Sequence, residues 1–151
     1  MSLSFRTARR ADVPVIVALM VDDPVTAARE APAGPAPDYD AAFTAVDADP
    51  RNELIVVESG GEIVGTMQLT YIPGLSRRGA ERAQIEAVRV AVPYRNRGIG
   101  RAMMTWAVER ARERGCGLVQ LTSDKARTDA HRFYSSLGFT ASHEGFKLRL
   151  G

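Results

Sequence analysis

The sequence predicts an α+β fold: a mixed, mostly antiparallel central sheet with a central parallel strand–helix–strand crossover. Three observations predict it. Leu54-Ile55-Val56-Val57 and Ile63-Val64 flank Gly60-Gly61, a hairpin signal between two antiparallel strands. The β-branched run 88–92 passes through a glycine turn into a pattern in which Ile99, Met103, Ala107 and Ala111 recur every fourth residue. Leu118-Val119-Gln120-Leu121-Thr122 then resumes as a short apolar strand, so residues 84–122 fit one parallel crossover.

The elements follow in order. Leu3 and Phe5 anchor a first strand over 3–9. Asp12 is placed as a helix N-cap with Pro14 early in the helix, where its missing N–H costs little; Val13, Val15, Ile16, Leu19 and Met20 supply the apolar face. Pro24, Pro32, Pro35 and Pro37 make 22–40 a long loop, with one short helical piece over 25–30. A second helix spans 40–47, with Phe43 and Val46 inward. Strands at 53–58 and 62–71 form the hairpin, and 73–83 is a basic loop. The next strand, 84–92, feeds the helix that Gly115 ends. A last helix over 128–137 is capped by Gly138 and followed by two short strands, 139–142 and 146–150.

At 151 residues and 45% hydrophobic content, the chain is expected to be a single domain, 1–151, that buries most of its apolar surface. No run reaches the ~18 apolar residues of a membrane span, and no charged-then-apolar leader opens the chain, so a cytoplasmic protein that does not bind membranes is expected. One cysteine, Cys116, excludes an internal disulfide; with only His131 and His143 beside it, no metal site is expected. Cys116 itself reads as a small buried thiol. The formal charge of +2 is unevenly placed: residues 1–76 hold 5 Lys/Arg against 11 Asp/Glu, and residues 77–151 hold 15 against 7. Much of the second-half excess lies around the glycine turn and in Arg110, Arg112 and Arg114. No aromatic-interleaved basic surface accompanies it, so a polyanionic small molecule accounts for it better than nucleic acid.

The turn Arg95-Asn96-Arg97-Gly98-Ile99-Gly100 is suited to phosphate. The first N–H groups of a helix lack intrahelical partners, the helix dipole is positive there, and glycines let an anion approach the backbone. Arg95, Arg97 and Arg101 add formal charge. A dinucleotide fingerprint would need a third glycine that is absent, and no triphosphate-loop string occurs.

The spacing that fits is [Q/R]-x-x-G-x-[G/A], and it resembles the acyl-CoA-binding motif of the GNAT superfamily of N-acetyltransferases. Ala130-His131-Arg132-Phe133-Tyr134-Ser135-Ser136-Leu137-Gly138-Phe139 resembles the family's A-x-x-[FL]-Y-x-x-x-G-F ending. The resemblance is firm over 84–139 and loose before residue 50. It implies helices on both sheet faces, acetyl-CoA as donor and the amine of a small molecule or a peptide as acceptor. Arg95, Arg97, Gly98, Ile99, Gly100 and Arg101 would hold the pyrophosphate. The backbone of Val90 and Val92 would pair with the pantetheine amides, and one N–H there would polarise the thioester carbonyl; their side chains read as core.

The tyrosine at the place of Tyr134 protonates the departing thiolate in this family; the alternative is a helix tyrosine packing its ring inward. Alternation puts Glu86 on the face of Val88, Val90 and Val92, so it is either poorly solvated or displaced by a bulge. Poor solvation would raise its pKa toward that of a useful base. The family places a catalytic glutamate there in some members; otherwise Glu86 is an edge residue reaching solvent. Arg127 stands where many members carry an asparagine. His131 and Arg132 read as exposed. Asp22, Asp23, Asp38 and Asp40 either attract a cationic amine or are solvated loop charges.

The expected function is acetyl-CoA-dependent transfer of an acetyl group to a primary amine by direct attack in a ternary complex. The alternative is a non-catalytic acyl-CoA-binding or regulatory module of the same fold, and a nucleic-acid-binding protein is the third reading. The terminal strands would offer an edge on which a homodimer could pair.

Overall fold

The computed structural model describes residues 2–22 and 38–151. The expected helical piece over 25–30, and Asp23, lie outside the described residues. Met1–Leu121 form one compact unit and Thr122–Gly151 a second.

The first unit is built on a five-stranded sheet whose spatial order follows the chain, β1 (Ser4–Thr7), β2 (Asn52–Ser59), β3 (Glu62–Ile72), β4 (Arg82–Val90) and β5 (Leu118–Leu121). The first four strands pair antiparallel and β4–β5 is parallel. Gly60 and Gly61 turn the β2–β3 hairpin with φ of 59° and 80°, values that favour glycine. The crossover from β4 to β5 runs through α3 (Ile99–Arg114), as the fourfold spacing predicts; Ile99, Met103, Ala107 and Ala111 are all buried. Gly115 ends α3 at φ 87°.

The sheet carries helices on both faces. Tyr71 faces α3, with the Arg114 guanidinium 4.0 Å from its ring centroid. Strand β3 also approaches α3 at Gly65, where a Cβ would lie 3.0 Å from Met103 Sδ. The opposite face meets α1 (Val13–Val21) and α2 (Tyr39–Ala48), where Ala8, Ile16, Phe43 and Val56 pack with Val13, Leu54 and Ile63 around them. Phe43 is inward as expected, and Val46 is half-buried.

Asp12 precedes α1, but its side chain does not cap it. A short 3₁₀ turn, Arg10–Asp12, has already begun, and the carboxylate accepts from Arg9 N–H (2.7 Å) and from Arg6 Nη1 and Nη2 (2.8 and 3.1 Å). Arg6 also bonds Glu58 on β2 through Nε, so one guanidinium joins β1, β2 and the entry to α1.

The second unit holds α4 (Thr128–Ser136) with Gly138 after it at φ 93°. The two terminal strands are not formed: 137–151 contain no strand. Phe146, Leu148 and Leu150 alternate as a strand would, yet are 92%, 86% and 95% exposed. Alternation without a ladder partner does not make a strand, since the backbone groups then gain nothing over water. The dimer edge expected there is therefore absent as a strand. Among the described residues no helix is long and apolar enough to cross a membrane.

Candidate active site

Strand β4 is the axis of the site. It begins at Arg82 and ends at Val90, two residues earlier at each end than the sequence suggests. Pro93 explains the far end: with no N–H and a fixed φ, it bends the chain into a 3₁₀ turn over Val92–Tyr94. Val92 is consequently 51% exposed and not a core residue, whereas Val90 is half-buried.

The ladder between β4 and β5 runs only from Arg82↔Leu118 to Ile85↔Leu121. Strand β4 continues for five residues with β3 on one side, reaching Gly65↔Val90. Ala91 N–H donates to Val64 carbonyl at 2.8 Å, so alternation directs the N–H and carbonyl of Val90 to the edge that β5 leaves open. Arg95 reaches that edge, its Nε donating to Val90 carbonyl at 3.0 Å.

Glu86 lies where that edge opens. Its partner on β3 is Gln68, and the next ladder pair is Thr66↔Arg89, so β4 holds one extra residue there. Ala87 carries the bulge at φ 52°. Of the two alternatives for Glu86, the bulge holds and the poor solvation does not: the side chain is exposed. A strand under strict alternation would have turned residue 88 to Glu86's face; the bulge breaks that periodicity.

The glycine turn has the geometry an anion requires. Asn96 and Gly98 both take positive φ, 63° and 80°. Gly98 is the N-cap of α3 and offers no side-chain acceptor, and the first turn of the helix holds no acid. The first intrahelical bond is Ala102 N–H to Gly98 carbonyl at 3.1 Å, which leaves the N–H groups of Ile99, Gly100 and Arg101 without a helical acceptor. Arg97 lies over the Tyr94 ring at 5.5 Å, and Tyr94 OH bonds Glu62, which raises its pKa. Arg97 and Arg101 form no ion pair among the described residues. Uncapped backbone donors, free guanidinium charge and an open strand edge together fit the pyrophosphate and amide groups of an acyl-CoA.

The arginines of α3 beyond its first turn are held by carboxylates. Arg110 forms a bidentate pair with Glu53 (2.6 and 2.7 Å), Arg114 pairs with Glu81 (2.5 Å), and Arg112 with Glu109. Those carboxylates account for much of the charge that the sequence suggested for a polyanion. Likewise Asp38 caps α2 by accepting from Ala41 N–H (2.9 Å), and Asp40 pairs with Arg10. Asp22 is exposed, with one oxygen 4.0 Å from Arg95.

Between α1, α2 and the sheet is a cavity of about 140 Å³, largely apolar, lined among others by Ile16, Met20, Phe43, Gln68 and Ala87. Gln68 and Ala87 put its rim beside Glu86. The sequence held no motif for it, because its walls come from five separate elements.

In the second unit, Tyr134 is half-buried on α4, its ring 5.3 Å from Phe133 and 6.0 Å from Phe139. Its carbonyl accepts from Leu137 and Phe139 N–H (both 3.1 Å). Arg132 is exposed and pairs with Asp129, but His131 is half-buried with Nε2 2.8 Å from Asp124 carbonyl oxygen. Arg127 is the N-cap of α4. Cys116, in the first unit, is half-buried with Sγ 3.8 Å from Glu81; burial and that carboxylate push its thiol pKa up, which suits an unreactive thiol.

Residues 19–139 match the model of the acetyltransferase (GNAT) family. The aminoalkylphosphonate N-acetyltransferase of Salmonella typhimurium is 33% identical over 108 residues, covering 72% of this chain and 70% of that one. A solved structure from Bacillus halodurans, named a transcriptional regulator, is 46% identical with a TM-score of 0.91 and covers 99% of this chain and all of its own. A structure named a putative acetyltransferase, from Agrobacterium tumefaciens, is 30% identical at TM-score 0.81, covering 97% and 99%. The chain belongs to the acetyltransferase (GNAT) family and is an N-acetyltransferase.

Proposed function

We propose that this chain takes its acetyl group from acetyl-CoA and moves it to the primary amine of a small molecule by direct attack in a ternary complex. The observation that carries this is the uncapped N-terminus of α3 behind Asn96 and Gly98, flanked by Arg97 and Arg101. The family uses acetyl-CoA, and the Salmonella relative is named for an aminoalkylphosphonate acceptor. The family match runs from 19 to 139 and so includes residues of both compact units.

When bound, acetyl-CoA supplies the activated acetyl thioester. The N–H groups of Ile99, Gly100 and Arg101, with Arg97 and Arg101 beside them, hold the pyrophosphate; Arg95 steadies the strand edge by bonding Val90 carbonyl. The open edge at Val90 aligns the amide-bearing arm, and its N–H polarises the thioester carbonyl. Glu86 accepts, through water, the proton that an ammonium must lose before it can attack. Tyr134 donates its phenolic proton to the departing thiolate, whose parent thiol has a pKa of about 8.5 and leaves poorly as a bare anion.

Calorimetric titration with acetyl-CoA, together with CoA release across an amine panel, tests the proposal. Saturable binding and amine-dependent release are expected; no binding at millimolar ligand would overturn it. A regulatory acyl-CoA-binding reading draws on the name of the Bacillus halodurans structure. It predicts acetyl-CoA binding with no release by any amine, and a gel shift of duplex DNA that weakens steeply with salt.

A further inference from the structure

We propose that the acceptor amine carries an anionic group, and that Arg82 binds it while Gln68, Gln84 and Gln120 bind neutral polar atoms between that group and the amine. The proposal rests on Glu86 and the open β4 edge being the reacting end.

Arg82, Gln84 and Glu86 alternate along β4 with the buried Ala83 and Ile85. Ala83 and Ile85 lie opposite Tyr71 and Leu69, on the face that meets α3. The three polar side chains therefore share the other face, where Gln68 sits opposite Glu86, and Gln120 opposite Gln84. Gln120 Nε2 donates to Gln84 Oε1 at 3.0 Å, and Gln68 Nε2 to Asn52 Oδ1 at 3.1 Å. That leaves Gln84 Nε2, Gln120 Oε1 and Gln68 Oε1 with no partner among the described residues: one donor and two acceptors in a half-buried row.

Arg82 ends this row. It is half-buried, yet its side chain forms no hydrogen bond or ion pair among the described residues. Arg6 and Arg110, half-buried likewise, each hold a carboxylate. A guanidinium has five donors, and partial burial without an anion is costly. The Arg82 guanidinium passes Gly74 in the β3–β4 loop, where a Cβ would lie 3.6 Å from Nη1. The same loop exposes Arg77 and Arg78, which also form no ion pair among the described residues, so the loop adds positive field around Arg82.

This charge is separate from the pyrophosphate site. Arg82 and Val90 lie opposite Ile72 and Gly65, seven ladder steps or about 23 Å apart at the usual rise, and the glycine turn lies beyond Val90. Glu86 stands midway. An amine at Glu86 thus has the donor's phosphates toward one end of β4 and an unpaired guanidinium toward the other.

Matched acceptors test this: glycyl-O-phosphoethanolamine against glycylethanolamine, and an amino-sugar phosphate against the same amino sugar unphosphorylated. The wild type is expected to show the lower KM for the phosphorylated member of at least one pair. Arg82→Gln should raise that KM about ten- to a hundredfold, the range for a lost charged hydrogen bond, with the neutral member and acetyl-CoA unchanged. Arg82→Lys should restore part of it. Equal KM values for both members of both pairs in the wild type, or an Arg82→Gln effect that extends to neutral amines or acetyl-CoA, would overturn the proposal. Calorimetric titration of the phosphorylated amines in the presence of CoA reads the Arg82 site without turnover. Binding lost in Arg82→Gln supports the proposal and no binding to the wild type contradicts it. Failure of acetyl-CoA alone to bind would count against the donor assignment instead.

Discussion

Ala87 determines what Glu86 can do. A left-handed φ at a residue with a Cβ costs about 1 kcal/mol, and the bulge it makes turns a glutamate that strict alternation would bury into one that meets water. If Glu86 relays the amine's proton, Glu86→Gln should lower kcat by about a hundredfold or more, while the KM for acetyl-CoA stays fixed. Tyr134→Phe should lower kcat in the same range, and its effect should shrink for donors with a better leaving thiol. The family resemblance pointed to both residues, and alternation fixed the two environments open to Glu86. The choice between them stayed open because a bulge depends on the partner strand, and Gln68 lies eighteen residues earlier. The alternation of Arg82, Gln84 and Glu86 is readable too, but the β-branched pattern starts only at 84, which leaves Arg82 in the preceding loop.

At the level of elements, α3 was legible because its core face is local: a fourfold spacing needs no knowledge of the rest of the chain. Its arginines were not, since Arg110 answers Glu53 from 57 residues away and Arg114 answers Glu81 from 33. The terminal strands failed for the converse reason, a local pattern with no ladder to join. The tight approach of β3 to α3 gives a stability prediction. Gly65→Ala would put a methyl 3.0 Å from Met103 Sδ and 3.1 Å from Arg89 carbonyl oxygen, and backbone can yield less than a thioether. A loss of about 1–3 kcal/mol is expected in urea unfolding; an unchanged midpoint would contradict this packing.

For the whole molecule, acid should expose the pairs that bind the sheet to its helices. The Arg6 hydrogen bond holds Asp12 below its ordinary value of 3.8. Burial pushes Glu53 up, but Arg110 outweighs it and leaves the carboxyl below 4.5. Both folded values are depressed, so their contribution is complete above the ordinary carboxylate range and is lost as pH falls through the lower folded values. Tm should therefore decline below about pH 4, and Arg6→Gln should have a lower Tm at neutral pH with a flatter acid limb. Binding of acetyl-CoA adds to the same equilibrium: at a hundred times Kd it should stabilise by about 2.7 kcal/mol and raise Tm by a few degrees. The β2–β3 hairpin and the one parallel crossover were readable from turn residues and strand spacing, whereas the apolar cavity was not, because five elements share its walls.

The central claim is that the N-terminus of α3 holds the pyrophosphate of acetyl-CoA. Calorimetric titration of the full chain with acetyl-CoA and with S-acetylpantetheine, which has the same thioester arm and no pyrophosphate, tests it most directly. Acetyl-CoA should bind at least about a hundredfold more tightly, and Arg97→Gln with Arg101→Gln should erase most of that difference. Equal affinities for the two ligands, or no binding of acetyl-CoA, would contradict the claim.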